Sequence, residues 1–226
     1  MTSVKFCGMT SVEDALAAAT AGASAIGLVF WPDSPRAVTA TAARAIVAAL
    51  PPTVLAIGVF VNATPDEVSS TVRTVGLHGA QLHGDERPER YVGAAPRLIK
   101  SAPVAEGRVL ADLERWPAGV LPLVDAHDPV RRGGTGRQVD WHVAADLARH
   151  RAIVLAGGLE VDTVETAILT VRPAWVDVSS GIETRPGRKA VEKMEAFMTA
   201  VRAADRAADE AGPGPGTRGT GEGGRV

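Results

Sequence analysis

An α/β fold built as a (β/α)8 barrel is what this sequence predicts, and three observations carry the prediction. Apolar runs without polar alternation, such as 54–61 and 152–156, suit strands buried on both faces. Stretches with helical spacing of apolar and alanine residues separate one run from the next. The alternation repeats through eight units over roughly the first 204 residues, about 25 residues each, which favours a closed barrel with a parallel eight-stranded sheet. An open doubly wound sheet would show the same periodicity.

The elements follow in order. Val4 to Cys7 is a short β-like start closed by Gly8. Ser11 caps a helix, with Asp14 as a weak capping partner, and Ala15, Leu16, Ala19 and Ala23 carry the helical spacing. Ala25 to Phe30 reads as a buried strand and Trp31 to Arg36 as a polar loop. Thr39 to Leu50 is an alanine-rich helix stopped by Pro51 and Pro52. After the strand at 54–61, Thr64 caps a helix with Pro65 in its first position, running to about Val75. His78 to Leu82 is a strand in context, Pro88 to Val92 a brief helix, Arg97 to Ser101 a strand and Arg108 to Leu113 a marginal helix. The run from Val120 ends abruptly in Asp125, and Val139 to His150 is helical. Ala152 to Ala156 and Trp175 to Val178 are strands flanking a helix from Val161 to Val171. A helix from Lys189 to Ala208 completes a single domain, residues 1–208. Residues 209–226 are rich in Gly and Pro and are expected to be a disordered tail.

Bulk properties narrow the function. With 226 residues, 46% hydrophobic and 22% charged, the chain can bury a sizeable core. A net charge of −2 gives no electrostatic footprint for nucleic acid or a membrane surface, so an anionic ligand must be held by a local site. The one cysteine, Cys7, excludes an intramolecular disulfide and disfavours a cysteine-based metal site. Neither a signal-peptide core nor an apolar stretch of membrane length is present, so a cytoplasmic protein is expected.

In a barrel of this kind, functional residues gather at the C-terminal ends of the strands. That rule collects Cys7, Arg36, Asn62, His83, Asp125, Gly157 and Gly158, then Asp177, Ser179, Ser180 and Gly181. Asp125 ends its strand before the glycine-rich loop that contains Gly133 to Gly136; the residue is either a carboxylate at the catalytic face or the start of a turn. The glycines after the seventh and eighth strands are the strongest signal, because two such loops expose backbone N–H groups where barrels commonly hold phosphate. Cys7 is either a small buried hydrophobe or a base, and an ordinary thiol is about 3% ionised at pH 7. Lys5, two residues back, shares its face. Arg36 follows a Ser-Pro turn and could offer a guanidinium fork to a planar carboxylate. His83 reads as a strand-end hydrogen-bonding residue, with no second histidine spaced for a metal, while His142 and His150 read as surface residues.

Together these residues resemble a known family. VKFCGMTSVEDA, GLVFWPDSPRAV, GVFVN, GAQLHGDE, LVDA with GGTGRQVDW, LAGGL and VDVSSGIE follow in the order and spacing of phosphoribosylanthranilate isomerases, the TIM-barrel enzymes of tryptophan biosynthesis. The likeness covers nearly all of the folded part. It departs at Phe6, where isoleucine is usual, and in the glycine-rich tail.

The resemblance implies an Amadori rearrangement of N-(5′-phosphoribosyl)anthranilate to the 1-deoxyribulose 5-phosphate derivative. It implies Cys7 as general base and Asp125 as general acid, the latter kept protonated near neutral pH beside apolar Leu123 and Val124. Arg36 would bind the anthranilate carboxylate, and Gly157, Gly158, Ser179, Ser180 and Gly181 the phosphate. Gly134, Thr135 and Gly136 would fold over the substrate, with Lys5, His83 and Asp177 in support. The substrate's nitrogen serves as electron sink, so neither cofactor nor metal is expected. The expected partner is a phosphorylated small molecule, not nucleic acid or membrane, and the chain is a monomer or homodimer. The rivals are an aminoaldose isomerase of the histidine pathway or a bifunctional enzyme, which pair two aspartates, and a non-catalytic phosphate-binding barrel. Cys7 argues against the first two, and the acid/base pair against the last.

Overall fold

Residues two apart in a strand share a face, and this parity arranges the whole molecule. In β1 (Ser3–Phe6), Val4 and Phe6 turn outward into the layer between sheet and helices, where Phe6 meets Phe197 edge to face at 5.9 Å. Lys5 turns inward. The computed structural model describes residues 1–103, 115–125 and 141–210.

Eight parallel strands close into a barrel in chain order. After β1 come β2 (Ala25–Val29), β3 (Leu55–Phe60), β4 (Gly79–Leu82) and β5 (Leu98–Pro103). The wall continues through β6 (Val120–Asp125), β7 (Val154–Leu155) and β8 (Trp175–Val178), and β8 pairs back onto β1. Closure decides between the two folds that periodicity left open, in favour of the barrel. Ala25, Ile57, Ile99, Leu123, Val154 and Ala156 fill its interior. A larger apolar layer lies between the wall and the helices.

The helices are α1 (Val12–Ala21), α2 (Ala40–Ala49), α3 (Pro65–Val75), α4 (Trp141–His150), α5 (Val164–Val171) and α6 (Val191–Glu210). Ser11 and Thr64 cap α1 and α3 as expected, and Thr39, read as the first residue of α2, is its cap instead. Thr64 and Glu67 complete a reciprocal capping box, and Pro65 supplies a preset φ where no N–H is needed. Asp14 does not complete such a box; its carboxylate accepts the backbone N–H of Lys189. Among the described residues, no helix is long and apolar enough to cross a membrane.

Several boundaries differ from expectation. The segment 88–92 is a 3-10 turn, Pro88–Tyr91. α5 starts three residues later than its periodicity suggests, because Thr163 Oγ1 accepts the Glu160 N–H and holds a turn there. Lys189 does not open the last helix. It lies in a small antiparallel hairpin, β9 (Glu183–Arg185) and β10 (Arg188–Lys189), and α6 runs on to Glu210. The helix expected over 108–113 and the glycine-rich tail from 211 lie outside the described residues.

Candidate active site

Inward parity at the C-terminal ends of the strands brings the polar residues together. Lys5 and Cys7 extend from β1, Gln81 and His83 from β4, Leu123 and Asp125 from β6, and Asp177 and Ser179 from β8. β1 and β6 are joined around the wall by way of β8 and β7, so Cys7 and Asp125 stand three strands apart around one mouth.

Cys7 is fixed by its N–H, which donates to Val178 O at 2.8 Å. A Cβ placed on Gly27 would meet its Sγ at 2.7 Å and the Lys5 Nζ at 3.1 Å, so thiol and ammonium share the hollow that this glycine leaves. Burial pushes the Cys7 thiol above its ordinary range; Lys5 and Lys189 pull it down, and Asp177 adds to the rise. The thiol form therefore dominates at neutral pH.

Lys5 and Asp177 form a buried ion pair at 2.8 Å, with exposures of 1% and 7%. Burial works against the charge on Lys5, but Asp177 and Cys7 outweigh it and raise its pKa. Breaking such a pair would strand a charge in the barrel, a cost of about 3–5 kcal/mol. Lys5 is thus a fixed cation under the thiol, on the inward face it shares with Cys7. Among the described residues, the buried Asp177 Oδ1 has no hydrogen-bond partner.

His83 lies with Nε2 3.5 Å from Asp125 Oδ2, and its Nδ1 is 3.2 Å from Gln81 Nε2. A donor amide at Nδ1 would leave the proton on Nε2, facing the carboxyl group. The histidine therefore orients the group that ends β6. Nearby, Glu86 accepts the N–H groups of Asn62 and Gly84, and Lys100 donates to Gly84 O at 2.7 Å. This buried network sets the loops after β3 and β4.

The two glycine groups adjoin, Gly181 lying against Leu159 and Glu160. Gly157 and Gly158 have φ of 86° and 65°, a turn that favours residues without a Cβ. Gly181 packs so closely on the Leu159 carbonyl that any side chain would force the loops after β7 and β8 apart. Ser179 and Ser180 lead into the short 3-10 turn Ser180–Ile182 beside them.

Arg36 reaches over Gly8, where an added Cβ would lie 2.5 Å from its Cδ. Its guanidinium is bound side-on by Glu183, Nε to Oε1 at 2.8 Å and Nη2 to Oε2 at 2.7 Å. Glu183, Lys189, Gln81 and Gly27 belong to the site although the strand-end rule does not single them out. Gly27 carried a usable signal, a glycine inside a strand. Pro186-Gly187 likewise marks the turn of the hairpin. His142 and His150 are exposed, as expected. Gly134, Thr135 and Gly136 lie outside the described residues.

Residues 4–200 match the family model described as N-(5′-phosphoribosyl)anthranilate (PRA) isomerase. The chain belongs to that family. An N-(5′-phosphoribosyl)anthranilate isomerase of Magnetococcus marinus is 46% identical over 209 residues, covering 92% of this chain and 98% of the relative. The phosphoribosyl anthranilate isomerase of Thermus thermophilus superposes with a TM-score of 0.80 at 38% identity, covering 89% of this chain and 99% of that one. A further isomerase structure, in complex with reduced 1-(o-carboxyphenylamino)-1-deoxyribulose 5-phosphate, superposes with a TM-score of 0.76 at 35% identity. It covers 90% of this chain and all of that one. The expectation of a family isomerase on a (β/α)8 barrel holds.

Proposed function

We propose that this family member isomerises N-(5′-phosphoribosyl)anthranilate through Cys7 and Asp125. The observation that carries the proposal is their placement, a thiol beside a fixed ammonium after β1 and a histidine-oriented carboxyl at the end of β6. Asp125 donates its proton to the ribose ring oxygen, the C1′–O bond opens, and the substrate nitrogen's lone pair forms the iminium. The Cys7 thiolate then removes the C2′ proton, giving an enolamine that tautomerises to the ketone. C2′ is oxidised to the ketone as C1′ is reduced to a methylene within the one molecule, so the reaction needs no external electron acceptor.

Arg36 binds the anthranilate carboxylate, and the loops carrying Gly157, Gly158, Ser179, Ser180 and Gly181 hold the phosphate. Lys5, held by Asp177, steadies the thiolate, and His83 steadies Asp125. The reading places the enzyme in tryptophan biosynthesis in the cytoplasm, acting as a monomer or homodimer without nucleic-acid or membrane partners.

The purified protein, with chelator and no added metal, is expected to consume phosphoribosylanthranilate in a continuous fluorescence assay. Absence of turnover with folded protein and fresh substrate would contradict the proposal.

A further inference from the structure

Two buried charges beside the mouth have no part in the chemistry above. Glu183 opens β9 with 6% exposure, and Lys189 lies opposite it on β10 with 5%. Burying a carboxylate and an ammonium is costly unless each is fully paired. Here both are. Glu183 grips Arg36 through both oxygens, while its Oε1 also receives Lys189 Nζ at 2.8 Å and the Gly187 N–H at 3.2 Å. The Lys189 ammonium has three protons and three acceptors: Glu183 Oε1, the Cys7 carbonyl at 2.6 Å and the Ser179 carbonyl at 3.1 Å.

We propose that Glu183, anchored by Lys189, is a positioning residue that sets the enzyme's specificity for a carboxylated aromatic amine by aiming the end-on fork of Arg36 at the substrate. The inference rests on Arg36 being the carboxylate-binding residue.

Donor arithmetic supports the assignment. A guanidinium carries five N–H groups, and Glu183 takes Nε–H with one proton of Nη2. The end-on edge, formed by Nη1 and the other Nη2 proton, remains as a second fork of the right width for a carboxylate. Charge agrees with geometry. Two cations around one carboxylate leave a single net positive charge, which matches the single negative charge of the anthranilate carboxylate. The brace also joins three loops, because Lys189 ties the backbone of Cys7 to that of Ser179 while Glu183 fixes the arginine that follows β2. Glu183 is ionised in this setting; burial opposes its charge, but hydrogen bonds from Arg36 and Lys189 prevail and lower its pKa.

Steady-state kinetics of Glu183→Gln test the proposal, with phosphoribosylanthranilate and its analogue lacking the carboxylate, N-(5′-phosphoribosyl)aniline. The variant is expected to raise KM for the carboxylated substrate roughly tenfold or more. kcat should change much less, and the preference over the aniline analogue should shrink. Arg36→Lys, which cannot form a fork, should show the same loss, and adding Glu183→Gln to it should cost little more. Unchanged KM would overturn the proposal, as would equal losses with both substrates or full additivity of the two changes. Should Glu183→Gln not fold by circular dichroism, Lys189→Met against Lys189→Arg supplies the same readouts, with KM and preference restored by arginine. Wild-type enzyme without turnover would refute the isomerase assignment. Normal wild-type turnover with an indifferent Glu183→Gln would refute this inference alone.

Discussion

Cys7→Ala is expected to lower kcat/KM for phosphoribosylanthranilate by roughly 10^2–10^4-fold, the usual contribution of a positioned acid or base. The barrel should survive, because the residue's structural hydrogen bond to Val178 runs through its backbone N–H. Circular dichroism and substrate protection against thermal unfolding would separate lost chemistry from lost structure. Turnover within tenfold of wild type would remove Cys7 as the base. The wild-type pH profile carries the matching signature. Burial pushes the thiol up, so the thiolate is the minor form at neutral pH and grows about tenfold per pH unit below the thiol's pKa. The acid limb of kcat/KM should rise accordingly through the neutral range. The apparent values will belong to the coupled acid/base pair and not to either residue alone.

Asp125→Asn is the second large effect. Asparagine keeps the shape of the side chain and can still contact His83, but it holds no carboxyl proton to give to the ring oxygen. A fall in kcat of roughly 10^2–10^4-fold is expected, with KM within a few-fold of wild type. If KM rose steeply while kcat held, Asp125 would be a binding residue. The two variants differ in what each leaves behind. Cys7→Ala keeps a proton donor at the ring oxygen, and Asp125→Asn keeps a base at C2′.

The barrel was legible because its strands are buried on both faces and end at recognisable breaks. Val120 to Asp125 stops at a charge, Ala156 at two glycines, and Val178 at two serines. α3 announces itself through Thr64, Pro65 and Glu67, residues whose roles at a helix start are local. Cys7 and Asp125 could be collected from their strand ends once a barrel was assumed, and Lys5 from its parity with Cys7, while their roles came from the family resemblance. Of the hairpin at 183–189, only the Pro186-Gly187 turn was legible. Its strands are two and three residues long and strongly polar, and they are held by contacts to Arg36, Cys7 and Ser179 that lie far away in sequence. Lys189 in particular looks like a helix-opening surface residue until its three acceptors are in place. A buried charge gives no local sign of burial, since the partners that make burial tolerable come from tertiary structure.

The central claim is that Cys7 takes the C2′ proton after Asp125 has opened the ring. Single-turnover rates with substrate carrying deuterium or hydrogen at C2′, measured for the wild type and for Cys7→Ala, test it most directly. A primary isotope effect is expected on the wild-type chemical step, and Cys7→Ala should no longer complete C2′ proton removal at a comparable rate. Loss of the C2′ hydrogen at the wild-type rate in Cys7→Ala would contradict it.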